Sequence, residues 1–315
     1  MLVKHIRVLY DIDPRSWEHP ADKATLSALR TLKGLDDLVA NLVSVTTERS
    51  LKLMQLASSV KVTERQFPRI NALMEEVRET FDWPYKPTVF VTQSPFFNAG
   101  VLGVKEPFIV LNSSLLKTFE EIEVKAVLAH EFGHIMSGHA LYKTLIWLIT
   151  NLSLRFLPMA SLITMPIMAA LAEWNRKSEL SADRVEVLAI QEDGPSLNAL
   201  MRMAGGEDLS QVNLSDFFAQ AEEYANQKTV LDSVHKLLNQ VWLSHPFPVE
   251  RIQELKAWTA SGAFAAILEG NYIKRGLSGD TPEADIKDGF DYYKRSLDES
   301  DDPLAKLANG IGKGI

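Results

Sequence analysis

Apolar residues recur at helical spacing in the first part of the chain. Between Ala21 and about Val60 they form a stripe typical of a packed helical arm. The stripe consists of Leu26, Leu29, Leu32, Leu35, Leu38 and Val39. A second helix is predicted from about Phe67 to Phe81, because the following Trp83-Pro84 pair stops helical propagation.

The hydrophobic period changes at Pro87. Residues Thr88 to Thr92 and Pro107 to Asn112 are rich in β-branched and aromatic residues, which favours strands. Between them, Asn98 to Gly103 is a weaker strand that contains two glycines. The pattern predicts a small sheet that leads into the next helix.

That next helix is predicted from Thr118 to His139. Thr118 and Glu121 have the spacing of a capping box, and Gly138 is a plausible stop. Apolar residues recur at helical spacing between these ends, and no proline interrupts them. They are Ile122, Val124, Val127 and Leu128.

The chemistry of this helix lies in the run His130-Glu131-Phe132-Gly133-His134. Histidines four residues apart differ by about 40° around a helix axis, so both imidazoles leave the same face and can bind one metal ion. This is the HExxH arrangement of zinc peptidases, in which the histidines are ligands and the glutamate is the general base.

The residues that follow His134 do not supply a third metal ligand in the way of the metzincins, because their spacing does not match the metzincin pattern. Ser137 and Ala140 occupy the positions of its glycine and histidine. His139 is the nearest histidine, but it lies about 180° around the helix from His130 and points away from the metal, which favours a structural or surface role over ligation.

A carboxylate on a second helix is the better candidate for this ligand. A helix is predicted from about Trp174 to Gln191, ending before Gly194-Pro195. Glu179 and Asp183 share one face of it. Glu179 completes a His₂Glu zinc site with an open position, and a second carboxylate can hold a ligand histidine in the required tautomer.

The weaker strand near this centre is the candidate substrate-binding element. An edge strand can bind an extended peptide through backbone hydrogen bonds. Asn98, Ala99 and Gly100 are the residues predicted to do so. The alternative is that they form ordinary core sheet.

Composition and charge narrow the functional class. The chain has 315 residues, of which 46% are hydrophobic, and a net charge of −8 without a basic cluster, which argues against nucleic acid as the partner. Without cysteine, disulfides and thiolate zinc sites are excluded. Charged residues interrupt the N-terminal apolar segment, so we expect a cytoplasmic, non-secreted protein.

The segment from Leu145 to Ala172 is almost wholly apolar, and its only charge is Arg155. One membrane span would separate Glu179 from His134, and two spans need about 40 apolar residues plus a turn. We therefore expect two short helices broken near Pro158. Packing in the core or in a homo-oligomer interface is favoured over a peripheral, membrane-dipping hairpin.

These motifs resemble a known family. The HEFGH run, Glu179-Leu180-Ser181-Ala182-Asp183 and Ser244-His245-Pro246 look like those of the gluzincin metallopeptidases, which include the CAAX prenyl proteases and the bacterial membrane protease HtpX. The resemblance extends from about Val60 to Gly270. It implies an α+β, mainly α, zincin-like (minigluzincin) fold with a small β-sheet beside the zinc-binding helix.

The resemblance also assigns residue roles. It implies that one Zn²⁺ per chain is bound by His130, His134 and Glu179, with Glu131 as the base. Asp183 would orient His130, and His245 would stabilise the tetrahedral intermediate. Arg251 matches the arginine that follows this histidine and is assigned only a structural salt bridge.

The domain organisation follows from these assignments. An N-terminal helical arm (1–60) precedes a zinc metallopeptidase domain (61–275), which contains an apolar helical insertion (141–173), and an acidic tail (276–315) follows. The predicted function is a zinc-dependent metalloendopeptidase that acts on peptides or unfolded proteins. The alternative is a latent or non-catalytic zinc-binding scaffold or chaperone-like module on the same fold.

Overall fold

Helices dominate the part of the chain that the computed structural model describes, namely residues 6–30, 48–148, 150, 161–205, 207–226 and 248–276. Together with one four-stranded sheet they confirm the predicted α+β, mainly α class. The helices are α1 (Pro20–Arg30), α2 (Glu48–Ser58), α3 (Pro68–Thr80), α4 (Ser113–Thr118), α5 (Glu121–Met136), α6 (Ala140–Leu148), α7 (Ser161–Ile190), α8 (Gly194–Ala204), α9 (Leu214–Asn226), α10 (Pro248–Ala260) and α11 (Ala263–Leu268).

The described parts of the predicted arm form α1 and α2, and the chain leaves helical conformation after Ser58. In the apolar stripe, Leu29 is buried in α1. The stripe residues Leu32, Leu35, Leu38 and Val39 lie outside the described residues, as do His245 and the acidic tail beyond Gly276.

The sheet has the order β1-β2-β4-β3. Its strands are β1 (Val60–Lys61), β2 (Thr88–Thr92), β3 (Ala99–Leu102) and β4 (Phe108–Asn112). β2 and β4 are parallel, whereas β1 and β3 pair antiparallel at the two edges. The glycine-containing strand β3 is thus an edge strand, which was one of the two alternatives for it.

Helix α5 lies at the centre of the molecule. Every residue from Glu123 to Met136 is buried, so this helix is covered by other elements around its whole circumference. It packs against α7, α8 and α3 and against strands β3 and β4. This position places the HExxH motif inside the core, in contact with several elements.

The apolar insertion differs in part from its prediction. α7 begins at Ser161 rather than near Trp174, and Pro166 lies within it. Pro158 lies outside the described residues. Where the insertion is described, Leu145 and Leu171 are buried against Leu29, Tyr142 and Trp174. None of the described helices combines the length and apolar character needed to cross a bilayer.

Candidate metal centre

The helix that carries the two motif histidines is shorter than predicted at both ends. Thr118 ends the preceding helix α4, so it is not available as a cap. The capping box is instead formed by Glu120 and Glu123, whose Oε2 accepts a hydrogen bond from the Glu120 amide at 2.8 Å. α5 ends at Met136, before Gly138.

His130, His134 and Glu179 come together where α5 crosses α7. The Nε2 of His130 lies 3.3 Å from the Oε2 of Glu179, and the Nε2 of His134 lies 3.2 Å from its Oε1. Their ligand atoms are all within 4.8 Å of one another. Two turns of one helix and one turn of another therefore present three donors to a single point.

Gly133 permits this close approach of the two helices. A Cβ atom added to Gly133 would lie 2.9 Å from the Cβ of Val185 on α7, a distance that real Cβ contacts essentially never show. The glycine inside the HEFGH run is therefore a packing requirement. It lets α7 come near enough for Glu179 to reach both histidines.

The three side chains fit a zinc ion by their chemistry. Two imidazoles and one carboxylate are a common donor set for Zn²⁺, and three protein ligands leave a position open for water or substrate. Relative exposures of 4% for His130 and 0% for His134 and Glu179 show that all three are buried. The Nε2 atoms of both histidines face the Glu179 carboxylate, as expected for three side chains that bind one metal ion.

On the His130 side, the ligand is bordered by an ionic cluster. The Nδ1 of His130 lies 3.1 Å from Asp183, whose carboxylate accepts hydrogen bonds from Arg251 at 2.6 and 2.9 Å. Burial lowers the pKa of His130, but hydrogen bonds with Asp183, Glu179 and Glu186 hold it well above its ordinary value. Asp183 is therefore placed where the sequence expected it, beside His130.

Glu186 belongs to this cluster and was not identified from the sequence. Its Oε2 lies 3.5 Å from the Nδ1 of His130, and burial raises the pKa of its carboxyl group. The available signal was its spacing, because a residue three positions after Asp183 lies on the same helix face. Arg251 also reaches beyond a simple salt bridge, since its Nη1 lies 3.3 Å from Glu179.

On the His134 side, the predicted direction of the His139 side chain is wrong. His139 does not point away from the centre: its Nδ1 lies 3.0 Å from the Nδ1 of His134, and it is 1% exposed. The prediction extended helical periodicity past Met136, but Gly138 has a φ of 72° and reverses the chain there. His139 is not a member of either candidate metal-ligand group.

Lys143 on α6 was also missed. Its ammonium group donates a hydrogen bond to the Oε1 of Glu179. A positive charge from the protein thereby offsets the buried carboxylate. Burial and the charge of Lys143 together hold the pKa of His134 well below its ordinary value, which keeps that imidazole neutral.

A small cavity of about 20 Å³ opens beside the centre. Glu131, His130 and Glu186 line it, together with Asn98 and Ala99. Two of the three predicted substrate-binding residues thus share a cavity with the predicted base. Gly100, the third, follows them on β3 but does not line the cavity. The remaining lining residues are mostly apolar: Leu115, Val127, Ala199, Leu200, Met203 and Arg251.

The sequence of this chain is similar to those of known peptidases. A model of peptidase family M48 matches residues 64–259, close to the extent of the predicted resemblance. The chain is 31% identical over 264 residues to the plastoglobule-localized metallopeptidase 48, chloroplastic, of Arabidopsis thaliana, covering 82% of this chain and 76% of that protein. It is 21% identical over 227 residues to a protease HtpX homolog of Helicobacter pylori (strain Shi470), covering 64% and 70%.

Proposed function

This chain belongs to peptidase family M48, and we propose that it is a zinc-dependent metalloendopeptidase that cleaves peptides or unfolded proteins. Its family makes it a peptidase with a peptide or protein substrate. The observation that carries the proposal is the buried convergence of His130, His134 and Glu179 beside Glu131. One zinc ion per chain would be held by these three ligands.

When bound, zinc supplies a Lewis acid that acidifies water and polarises the substrate carbonyl. Glu131 lies next to His130 on α5 and on the cavity wall, where it can accept the proton of the attacking water. It then passes this proton to the departing amine. His245, assigned from the family resemblance, donates a hydrogen bond to the developing oxyanion.

Strand β3 is proposed to align the substrate backbone. It is an edge strand, and Asn98 and Ala99 at its start line the same cavity as Glu131. Among the described residues beyond its chain neighbours, no atom lies within 4 Å of the position that a Cβ of Gly100 would take, so the face of the strand is open there. Pairing through the main chain would admit many sequences, as an unfolded protein substrate requires.

The small size of the cavity bears on the alternative of a latent scaffold. A volume of about 20 Å³ holds roughly one water molecule but no peptide residue. The proposal therefore includes an opening of the cleft that admits the substrate, and a protein that never opens would be a latent scaffold. Zinc analysis combined with casein hydrolysis distinguishes an active peptidase from a latent scaffold, because the latent form binds zinc without cleaving casein.

We place the protein in the cytoplasm, with the apolar segment 145–172 packed inside the protein or between copies. The burial of Leu145, Leu148 and Leu171 supports internal packing. The name of the plant relative locates that protein at plastoglobules. A peripheral lipid contact of this chain is therefore worth testing by flotation with liposomes, and co-migration would favour the membrane alternative.

The decisive experiment for the catalytic proposal is the Glu131→Gln variant. We expect it to retain one zinc per chain while casein hydrolysis falls by about 10³-fold, because only the proton acceptor is removed. Glu123→Gln is the matched control, since Glu123 is a buried carboxylate of the same helix that hydrogen-bonds Arg202 outside the cavity. A fully active Glu131→Gln enzyme would overturn the assignment.

A further inference from the structure

A line of buried polar side chains extends from the metal centre to the N-terminal helix. The Nδ1 of His134 lies 3.0 Å from the Nδ1 of His139, and the Nε2 of His139 lies 3.1 Å from the Oδ2 of Asp22 on α1. Ser181 of α7 donates a hydrogen bond to the same oxygen at 2.6 Å. Each of these side chains is at most 2% exposed.

Taking the proposed function as its basis, we propose that Asp22 and His139 are positioning residues for the zinc ligand His134. His139 holds the ligand imidazole in the tautomer that leaves its Nε2 lone pair directed at the metal. Asp22 in turn holds His139. Neither residue contacts the substrate or the metal in this assignment.

The tautomers follow from donor and acceptor rules. A carboxylate can only accept, so the Nε2 of His139 carries the proton that faces Asp22. The proposal assigns His139 as neutral, so that its Nδ1 is an acceptor and the Nδ1 of His134 is the donor that faces it. A neutral His134 protonated at Nδ1 has its lone pair at Nε2. This is the atom that lies 3.2 Å from Glu179.

The end of α5 places His139 for this contact. The amide of His139 donates to the carbonyl of His134 at 2.8 Å, and the amide of Gly138 donates to that of Ile135 at 3.1 Å. These two bonds form a Schellman motif, with Gly138 in the left-handed conformation. Such a motif brings the second residue beyond the helix against its last turn, so that one imidazole meets the other.

Helix α7 also holds the start of α1, and with it Asp22. Ser181 lies between Glu179 and Asp183 on α7, and its hydroxyl accepts a hydrogen bond from the amide of His19 at 2.9 Å. α7 thus presents its metal ligand towards α5 and holds the start of α1 through Ser181. Asp22 lies before the segment that the family model matches. The N-terminal arm therefore contributes to the metal centre as well as to packing.

Packing alone does not explain why the carboxylate of Asp22 is buried. A buried carboxylate is costly unless it is hydrogen-bonded, and replacing such a group by an apolar one is often harmless to stability. The ring of Trp174 packs edge-on against His139, with ring centroids 5.5 Å apart. This dry environment strengthens the contact between His139 and Asp22. An orienting role gives a reason for keeping the charge.

The test is to measure zinc affinity by competition with a chromophoric chelator. Partners of ligand histidines typically change metal affinity by about 10- to 100-fold. We expect about a 10-fold loss for Asp22→Asn and a larger loss, up to about 100-fold, for His139→Leu. His139→Asn should lose less than His139→Leu, because the asparagine carbonyl can replace the Nδ1 acceptor. The absorption spectrum of the cobalt-substituted protein should change in the same order.

Glu123→Gln serves as the matched control, because it also neutralises a buried, hydrogen-bonded carboxylate. Thermal unfolding of each metal-free variant shows whether it folds. A purely structural role would lower stability in Asp22→Asn and Glu123→Gln alike, with zinc affinity and the cobalt spectrum equal to wild type, and that result would overturn the proposal. If wild type itself binds no zinc, the proposed function fails instead.

Discussion

The two histidines of the proposed metal site lie in contrasting surroundings. His130 is bordered by charges, because its Nδ1 contacts Asp183 directly and Arg251 holds that carboxylate. His134 is bordered by a second imidazole, and a carboxylate follows only behind it. We call these the ionic flank (Asp183, Glu186, Arg251) and the relay flank (His139, Asp22, Ser181).

Both flanks orient a histidine imidazole towards Glu179, but they do so by different means. In each case the Nδ1 atom is engaged and the Nε2 atom faces Glu179. The ionic flank raises the pKa of His130, whereas burial and Lys143 lower that of His134. The two histidines of the HExxH motif are therefore held by different kinds of side chain.

The largest effect is expected from the ionic flank. Asp183→Asn removes the carboxylate charge nearest to the buried Arg251 and leaves it with the contact to Glu179, which should cost about 3 kcal/mol of stability and about 10- to 100-fold in zinc affinity. Urea unfolding and chelator competition measure both losses. Adding Arg251→Met should restore part of the stability, since the positive charge that lost its nearest carboxylate is then removed. A loss no larger than that of Asp22→Asn would make the flanks equivalent.

The next effect concerns the metal-free protein and Lys143. In Lys143→Met, the buried Glu179 loses a neutralising charge, so we expect the free energy of unfolding of the metal-free form to fall by about 3 kcal/mol. Zinc replaces this charge, so the zinc-loaded form should lose less. Melting temperatures with zinc and with EDTA provide the measurement. Equal losses in both states would show that Lys143 contributes packing alone.

Gly133→Ala should disturb both flanks together. The added Cβ would meet Val185 at 2.9 Å and force α5 and α7 apart, at a cost of about 1–3 kcal/mol. Zinc affinity should fall too, because Glu179 moves away from both histidines. Gly194→Ala is the control, since no atom lies within 4 Å of its added Cβ. Unchanged zinc affinity in Gly133→Ala would show that the helices tolerate this separation.

The smallest expected effect is a pH dependence of stability that arises from Glu18, a neighbour of Asp22 in the relay flank. Burial, followed by the charge of Asp22, raises the pKa of Glu18 to about 7 from 4.5. Folding therefore favours the protonated form, and this group lowers stability progressively as pH rises from about 4.5 through 7. Glu18→Gln should be more stable than wild type by roughly 1–2 kcal/mol at pH 8 and similar to it below pH 4.5. Parallel stability profiles from urea unfolding at several pH values would contradict this expectation.

Local pattern was sufficient for the elements that carry the metal ligands. Helical periodicity placed His130 and His134 on one face and Glu179 and Asp183 on another, and the structure brings these faces together. The pattern also located the strand Asn98 to Gly103 but left open whether it lies at an edge of the sheet or in its core. These features depend on neighbours within one or two turns, which a sequence displays directly.

The supports of the centre were decided by the tertiary structure. Thr118 could not cap α5 because α4 already used it, and His139 turned inward because Gly138 ended the helical period. Asp22 and Ser181 are 159 positions apart and meet only because α1 packs on α7. Periodicity determines which face of a helix a side chain occupies, but the partner of that face depends on how distant helices pack.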